Sequence, residues 1–160
     1  MNHSTIAKTL TVAAVAALSL GIAPAAKAVC FNNSLNGTFA YKGTGVIVSP
    51  PDFAGPIAQV GSLIFDGNGH ITGAGVLQQN GTTNPLTETG TYTVNPDCTG
   101  TFTVQYSLGF SSTFYFIMDN IETVGLAYVR PNELQVLCED AGVVLDGVAR
   151  RQVITGGSGQ

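Results

Sequence analysis

The chain has 160 residues, with six basic side chains against ten acidic ones, a formal net charge of −4 and only 10% charged residues. So few bases form no stripe able to track a phosphate backbone, which excludes nucleic acid as an expected partner and disfavours acidic membrane surfaces. Abundant Gly, Thr, Asn, Val and aromatics favour strands over helices.

Residues 1–28 differ from the rest. Lys8, an uncharged apolar run from Thr9 to Pro24, and then Ala26-Lys27-Ala28 read as an export leader cleaved after Ala28. Cleavage removes two bases and no acid. The remaining chain, starting at Val29-Cys30, carries four bases against ten acids. No later stretch approaches the roughly 18 apolar residues of a membrane span. The expected location is therefore secreted or periplasmic, with no stable membrane insertion after cleavage. Residues 29–153 are expected to form one domain, followed by a flexible tail at 154–160.

Turn chemistry cuts the domain at regular intervals: Asp66-Gly67-Asn68-Gly69, Asn80-Gly81, Asn95-Pro96-Asp97-Cys98-Thr99-Gly100, Asp119-Asn120, Arg130-Pro131-Asn132 and Asp140-Ala141-Gly142. Between these lie strand-length runs at 37–48, 57–66, 69–78, 86–94, 100–108, 112–119, 122–138 and 142–152. Eight strands with short connections predict an all-β, antiparallel up-and-down barrel, with a β-sandwich as the alternative. The irregular segment 49–56 is read as a loop over a barrel mouth.

Alternation assigns the faces. Thr87, Thr89, Thr91 and Thr93 interleave with Glu88, Gly90, Tyr92 and Val94, and Thr101 and Thr103 interleave with Phe102, Val104 and Tyr106. The threonine face suits solvent. Tyr92, Phe102, Val104 and Tyr106 should point inward, as should Phe114, Phe116 and Met118 on the next strand.

Asn36-Gly37-Thr38-Phe39, opening the first strand, and Arg150-Arg151, ending the last, resemble the calycin layout of lipocalins and avidins. In those families a tryptophan closes one barrel end and a late Arg or Lys packs over it. Here Phe39 takes that place, which keeps a ring–cation contact. The chain contains no tryptophan, so biotin binding is not implied. Ser34-Leu35-Asn36-Gly37-Thr38, Phe65-Asp66-Gly67-Asn68-Gly69, the 90–100 run and Gly147-Val148-Ala149-Arg150-Arg151-Gln152 also resemble a group of uncharacterised bacterial secreted proteins. That likeness implies a fold and an exported location without an activity.

Three cysteines in an oxidising compartment suggest one disulfide and one leftover thiol. An eight-strand meander brings the chain start and the 95–100 turn to one end, which pairs Cys30 with Cys98 and leaves Cys138 at the other end. If 122–138 is two strands, Cys98–Cys138 becomes the alternative.

The chemistry candidates are few. His70 is the only histidine beyond the leader, follows a turn and reads as a solvent-facing strand residue. Asp66, Asn68 and His70 superficially suggest a calcium loop but lack its distal glutamate, so no metal site is assigned. Asn32, Asn36 and Asn80 begin glycosylation sequons that matter only in a glycosylating host. Glu88 falls on the inward face, either as a buried acid with a raised pKa or at a strand mouth near Asn84-Pro85 with its head in water. It is the candidate catalytic acid. Tyr92, Tyr106, Tyr115 and Tyr128 offer hydroxyls to a ligand or serve as ordinary core filling.

The first functional reading is a binding barrel holding a small apolar or amphipathic molecule in its lumen, with Glu88, Tyr92, Phe102, Tyr106, Phe114 and Phe116 as the binding set. The alternatives are a structural or surface-interaction module with a filled barrel, and a cofactor-free barrel cyclase or isomerase. Nothing in the sequence calls for a cofactor.

Overall fold

The computed structural model describes residues 29–124 and 128–153. The expected leader and tail lie outside the described residues, as does the side chain of Tyr128. Eight strands follow in order: β1 (Asn36–Ile47), β2 (Gly55–Asp66), β3 (His70–Gln79), β4 (Thr82–Val94), β5 (Thr99–Tyr106), β6 (Ser111–Val124), β7 (Tyr128–Cys138) and β8 (Val143–Arg151). Each pairs antiparallel with the next. β8 returns to β1 from Phe39↔Arg151 to Ile47↔Val143, closing the barrel and removing the sandwich alternative. No helix among the described residues is long and apolar enough to cross a membrane.

Two strands start earlier than the sequence suggests, each at a proline: β2 at Gly55 and β4 at Thr82. Pro56, Pro85 and Pro131 pair with Val46, Val76 and Ile121 on one side. The ladder on the other side begins only beyond them, at Ile57↔Gln79, Glu88↔Tyr106 and Glu133↔Arg150. A proline has no N–H to give, and here it stands where the strand has one neighbour. Strands thus run through prolines that look like turns. Asp119-Asn120 is not a turn either. Asn120 takes φ 49 inside β6, and the register carries on from Asp119↔Glu133 to Ile121↔Pro131. Consequently 122–124 belong to β6, and β7 passes unbroken through Arg130-Pro131-Asn132.

One barrel end is plugged. The short 3-10 turn Asn32–Leu35 lies across it with Cys30, Ser34 and Leu35 fully buried. Tyr92 Oη donates to the carbonyls of Asn32 (3.0 Å) and Leu35 (3.4 Å), and Asn32 Oδ1 accepts from the Val94 amide at 2.8 Å. Arg151 donates to the carbonyls of Asn36 (2.6 Å), Pro131 (2.9 Å) and Ser34 (3.5 Å). Its guanidinium carbon lies 4.6 Å from the Phe39 ring centroid, the cation–ring contact that the calycin resemblance implies. The Cys30–Cys98 disulfide anchors the plug to the β4–β5 turn. Cys138 is a free, buried thiol toward the other end.

Candidate functional site

The lumen changes character along the barrel axis because the inward residues change size. Near the plug it is full of rings, where Phe39 and Phe65 meet edge to face at 5.4 Å and Phe65 and Tyr92 at 5.0 Å, and further along the axis Phe102 stacks on Phe114 at 4.9 Å. At the opposite end the lumen opens into a cup of about 550 Å³. Ile57, Leu77, Phe114, Val143 and Leu145 supply apolar wall, and the polar side chains include Gln59, Gln79, Asn84, Ser112 and the acid Asp140. The 49–56 segment borders the cup through Ser49, Pro50 and Phe53, as a mouth loop should. It is tied to the β3–β4 hairpin, since Gln79 Nε2 donates to the Phe53 carbonyl at 2.7 Å and Asn80 Nδ2 to that of Ala54 at 2.9 Å. Phe53 and Phe110 remain exposed at the rim.

Beneath the cup is a second space of about 30 Å³, room for about one water molecule. Gln59, Tyr106, Phe114 and Leu145 line both, so the floor of one is the ceiling of the other. Glu88 opens on the lower space and is only 3% exposed. The mouth position in water is therefore not the one it takes. β4 begins at Thr82, which sets Glu88 in mid-strand, directly opposite Tyr106 of β5.

Tyr41 of β1 reaches Glu88 across two intervening strands, its hydroxyl donating to Oε1 in a short hydrogen bond. Glycines make the passage. Tyr41 pairs with Gly61 of β2, which pairs with Gly75 of β3. A Cβ on Gly61 would stand 2.8 Å from the Tyr41 ring, and one on Gly75 would stand 2.6 Å from its hydroxyl. Gly73, paired with Glu88, would bring a Cβ to 3.2 Å from Oε2. Any side chain at these positions would compete with the Tyr41–Glu88 contact for space.

Burial raises the Glu88 pKa, and the Tyr41 hydrogen bond opposes this without cancelling it. Burial and the adjacent carboxyl together raise both Tyr41 and Tyr106. The group at this site is thus a carboxyl biased toward its neutral form, between two phenols that keep their protons. Such a set can donate and accept hydrogen bonds in an apolar enclosure.

The structure brings together part of the sequence-derived set. Glu88, Tyr106, Phe102 and Phe114 line the lower space, and Tyr106 and Phe114 also line the cup. Tyr92 and Phe116 are buried among the rings of the plugged half and border neither space. Sequence reasoning missed Tyr41, though alternation from Phe39 carries the signal, and the wall residues Ile57, Leu77 and Val143. Cys138 is on the cup wall, its thiol pushed up to about 11, chiefly by burial. Tyr115 is half-buried and borders neither space.

His70 is exposed and pairs with Asp66 at 3.0 Å. The Asp66 carboxylate also accepts from the amides of Asn68 and His70, which hold its pKa down to about 2. Its oxygens thus serve the β2–β3 turn. Among the described residues no group of three or more His, Cys, Asp or Glu side chains is placed to hold a metal ion.

No family model and no curated protein matches the chain. A solved structure described as the de novo design of a fluorescence-activating β-barrel is similar at 16% identity, covering 76% of this chain and 96% of that one, with a TM-score of 0.49.

Proposed function

We propose that this chain is an exported binding barrel, with 29–153 as one domain, which holds a small apolar or amphipathic molecule in the cup at its mouth. The observation that carries this reading is the cup itself. Its volume of about 550 Å³ is in the range of ligand sites, roughly 300–1,000 Å³, and a wall that mixes apolar side chains with polar ones suits an amphipathic guest. The Cys30–Cys98 disulfide supports an oxidising compartment, and the leader pattern supports export.

The test is titration with an apolar dye that brightens on leaving water. Ser112 lies on the cup wall and is not part of the ring-filled half, so Ser112→Trp puts a bulky ring into the cup while leaving that packing intact. The wild type should bind the dye saturably at one site, and Ser112→Trp should lose at least about tenfold in affinity while unfolding as one transition. Equal binding by the two proteins, or none by the wild type across apolar dyes of different size, would overturn the reading.

A further inference from the structure

We infer that the cup takes its guest head-first, with an uncharged oxygen group, a hydroxyl or a carbonyl, seated between Glu88 and Tyr106 and the apolar body above it. This rests on the cup being a binding site. Glu88 and Tyr106 are direct cross-strand partners. Glu88 Oε1 is taken by Tyr41. Among the described residues neither Glu88 Oε2 nor the Tyr106 hydroxyl has a hydrogen-bond partner, and both residues border the small lower space. Both oxygens face a space of about one water's size, so a guest's polar atom seated there can pair with them in place of that water. The lower space is about 30 Å³, enough for a head group but not for a body. It meets the cup at Gln59, Tyr106, Phe114 and Leu145.

The surroundings select the charge of the head. The walls around Glu88 are Leu63, Phe102, Val104, Leu134 and Val136, and the one basic residue of the lining, Lys42, has its side chain exposed. An ammonium head would have to desolvate itself and ionise the acid in the same apolar space. A carboxylate head would meet a second carboxyl with no cation between them. A hydroxyl or carbonyl avoids both costs, because the Tyr106 phenol can donate to either.

A matched series supplies the test: butylbenzene, phenylbutanol, the corresponding phenylbutanone, phenylbutyrate and phenylbutylammonium, each displacing the apolar dye from the wild-type protein and from Tyr106→Phe and Glu88→Leu. A cup without a head site would favour butylbenzene, since a hydroxyl costs desolvation. The head site predicts the reverse, with the alcohol and ketone about fivefold tighter than the hydrocarbon and tighter than either ion. Tyr106→Phe should erase that preference, bringing the alcohol and ketone to no tighter than the hydrocarbon on the same variant, and Glu88→Leu should do the same if it folds. Butylbenzene binding as tightly as the alcohol, an ion binding tightest, or a preference that survives Tyr106→Phe would overturn the head site and leave the cup standing. Failure of the whole series, butylbenzene included, would overturn the cup and the head site together.

Discussion

Glu88 and Arg151 are two charged-type residues that the fold treats in opposite ways. Glu88 is sealed in with its folded pKa raised, so its contribution to stability is fully present below the unfolded value, about 4.3, and is lost as pH rises through the folded value. Glu88→Gln can still accept from Tyr41 but has nothing to ionise. Urea midpoints at pH 4 and pH 8 should therefore show the wild type losing stability relative to Glu88→Gln as pH rises; a constant difference would mean that Glu88 does not titrate against burial. Arg151 instead holds three carbonyls and a ring at the plug. Arg151→Ala should cost about 2–4 kcal/mol in urea unfolding, and Arg151→Lys should restore less than half, because an ammonium keeps the ring contact but cannot fork to separated carbonyls. Alternation made the inward direction of Glu88 legible, and a late cation over Phe39 was legible by resemblance. Depth was not, since a period-two pattern says which face a residue takes but not how far down the barrel it lies.

At the scale of strands, the sequence reading failed at two of the prolines. It opened strands just after Pro56 and Pro85, whereas the structure runs strands through both; the single run through Arg130-Pro131-Asn132 stands, with its start moved from 122 to Tyr128. A proline forbids a second hydrogen-bonded neighbour on its nitrogen side, and at these positions none is present. That condition belongs to the neighbouring strands and cannot be read from the residue. Because β4 was started late, Glu88 seemed close to a mouth. The eight-strand order, the inward aromatics and the Cys30–Cys98 pair were legible, because turn spacing and alternation are local and a meander fixes which turns share an end. The disulfide closes a loop with a sequence separation of 68, for which the chain-entropy model gives about 4 kcal/mol. The Cys30→Ser/Cys98→Ser double variant should show that loss in denaturant unfolding, and a change below about 1 kcal/mol would mean that the buried turn Asn32–Leu35 holds the plug without it.

The molecule as a whole has two unlike halves, one filled by rings and one left open. Aromatic side chains crowd the plugged end, glycines at 61, 73 and 75 thin the wall midway, and smaller apolar and amide side chains line the mouth. The filled half supplies rigidity against which the cup can stay open, and the glycine-lined middle lets one tyrosine tether the buried acid. Both described chain ends leave from the plugged side: Gln152 donates its amide to the Thr38 carbonyl, and Cys30 is bonded to the turn beyond β4. That arrangement has a mechanical meaning. Tension applied between Val29 and Val153 reaches the barrel through a covalent link to Cys98 and through the end of β8 with its Arg151 clamp. The disulfide diverts the load from the start of β1 to the β4–β5 turn across the barrel, so β1 and β8 are not simply peeled apart from their paired ends. The mouth stays outside the line of force, and a barrel held by its flanks would bear strain at its solid end while its opening kept its shape.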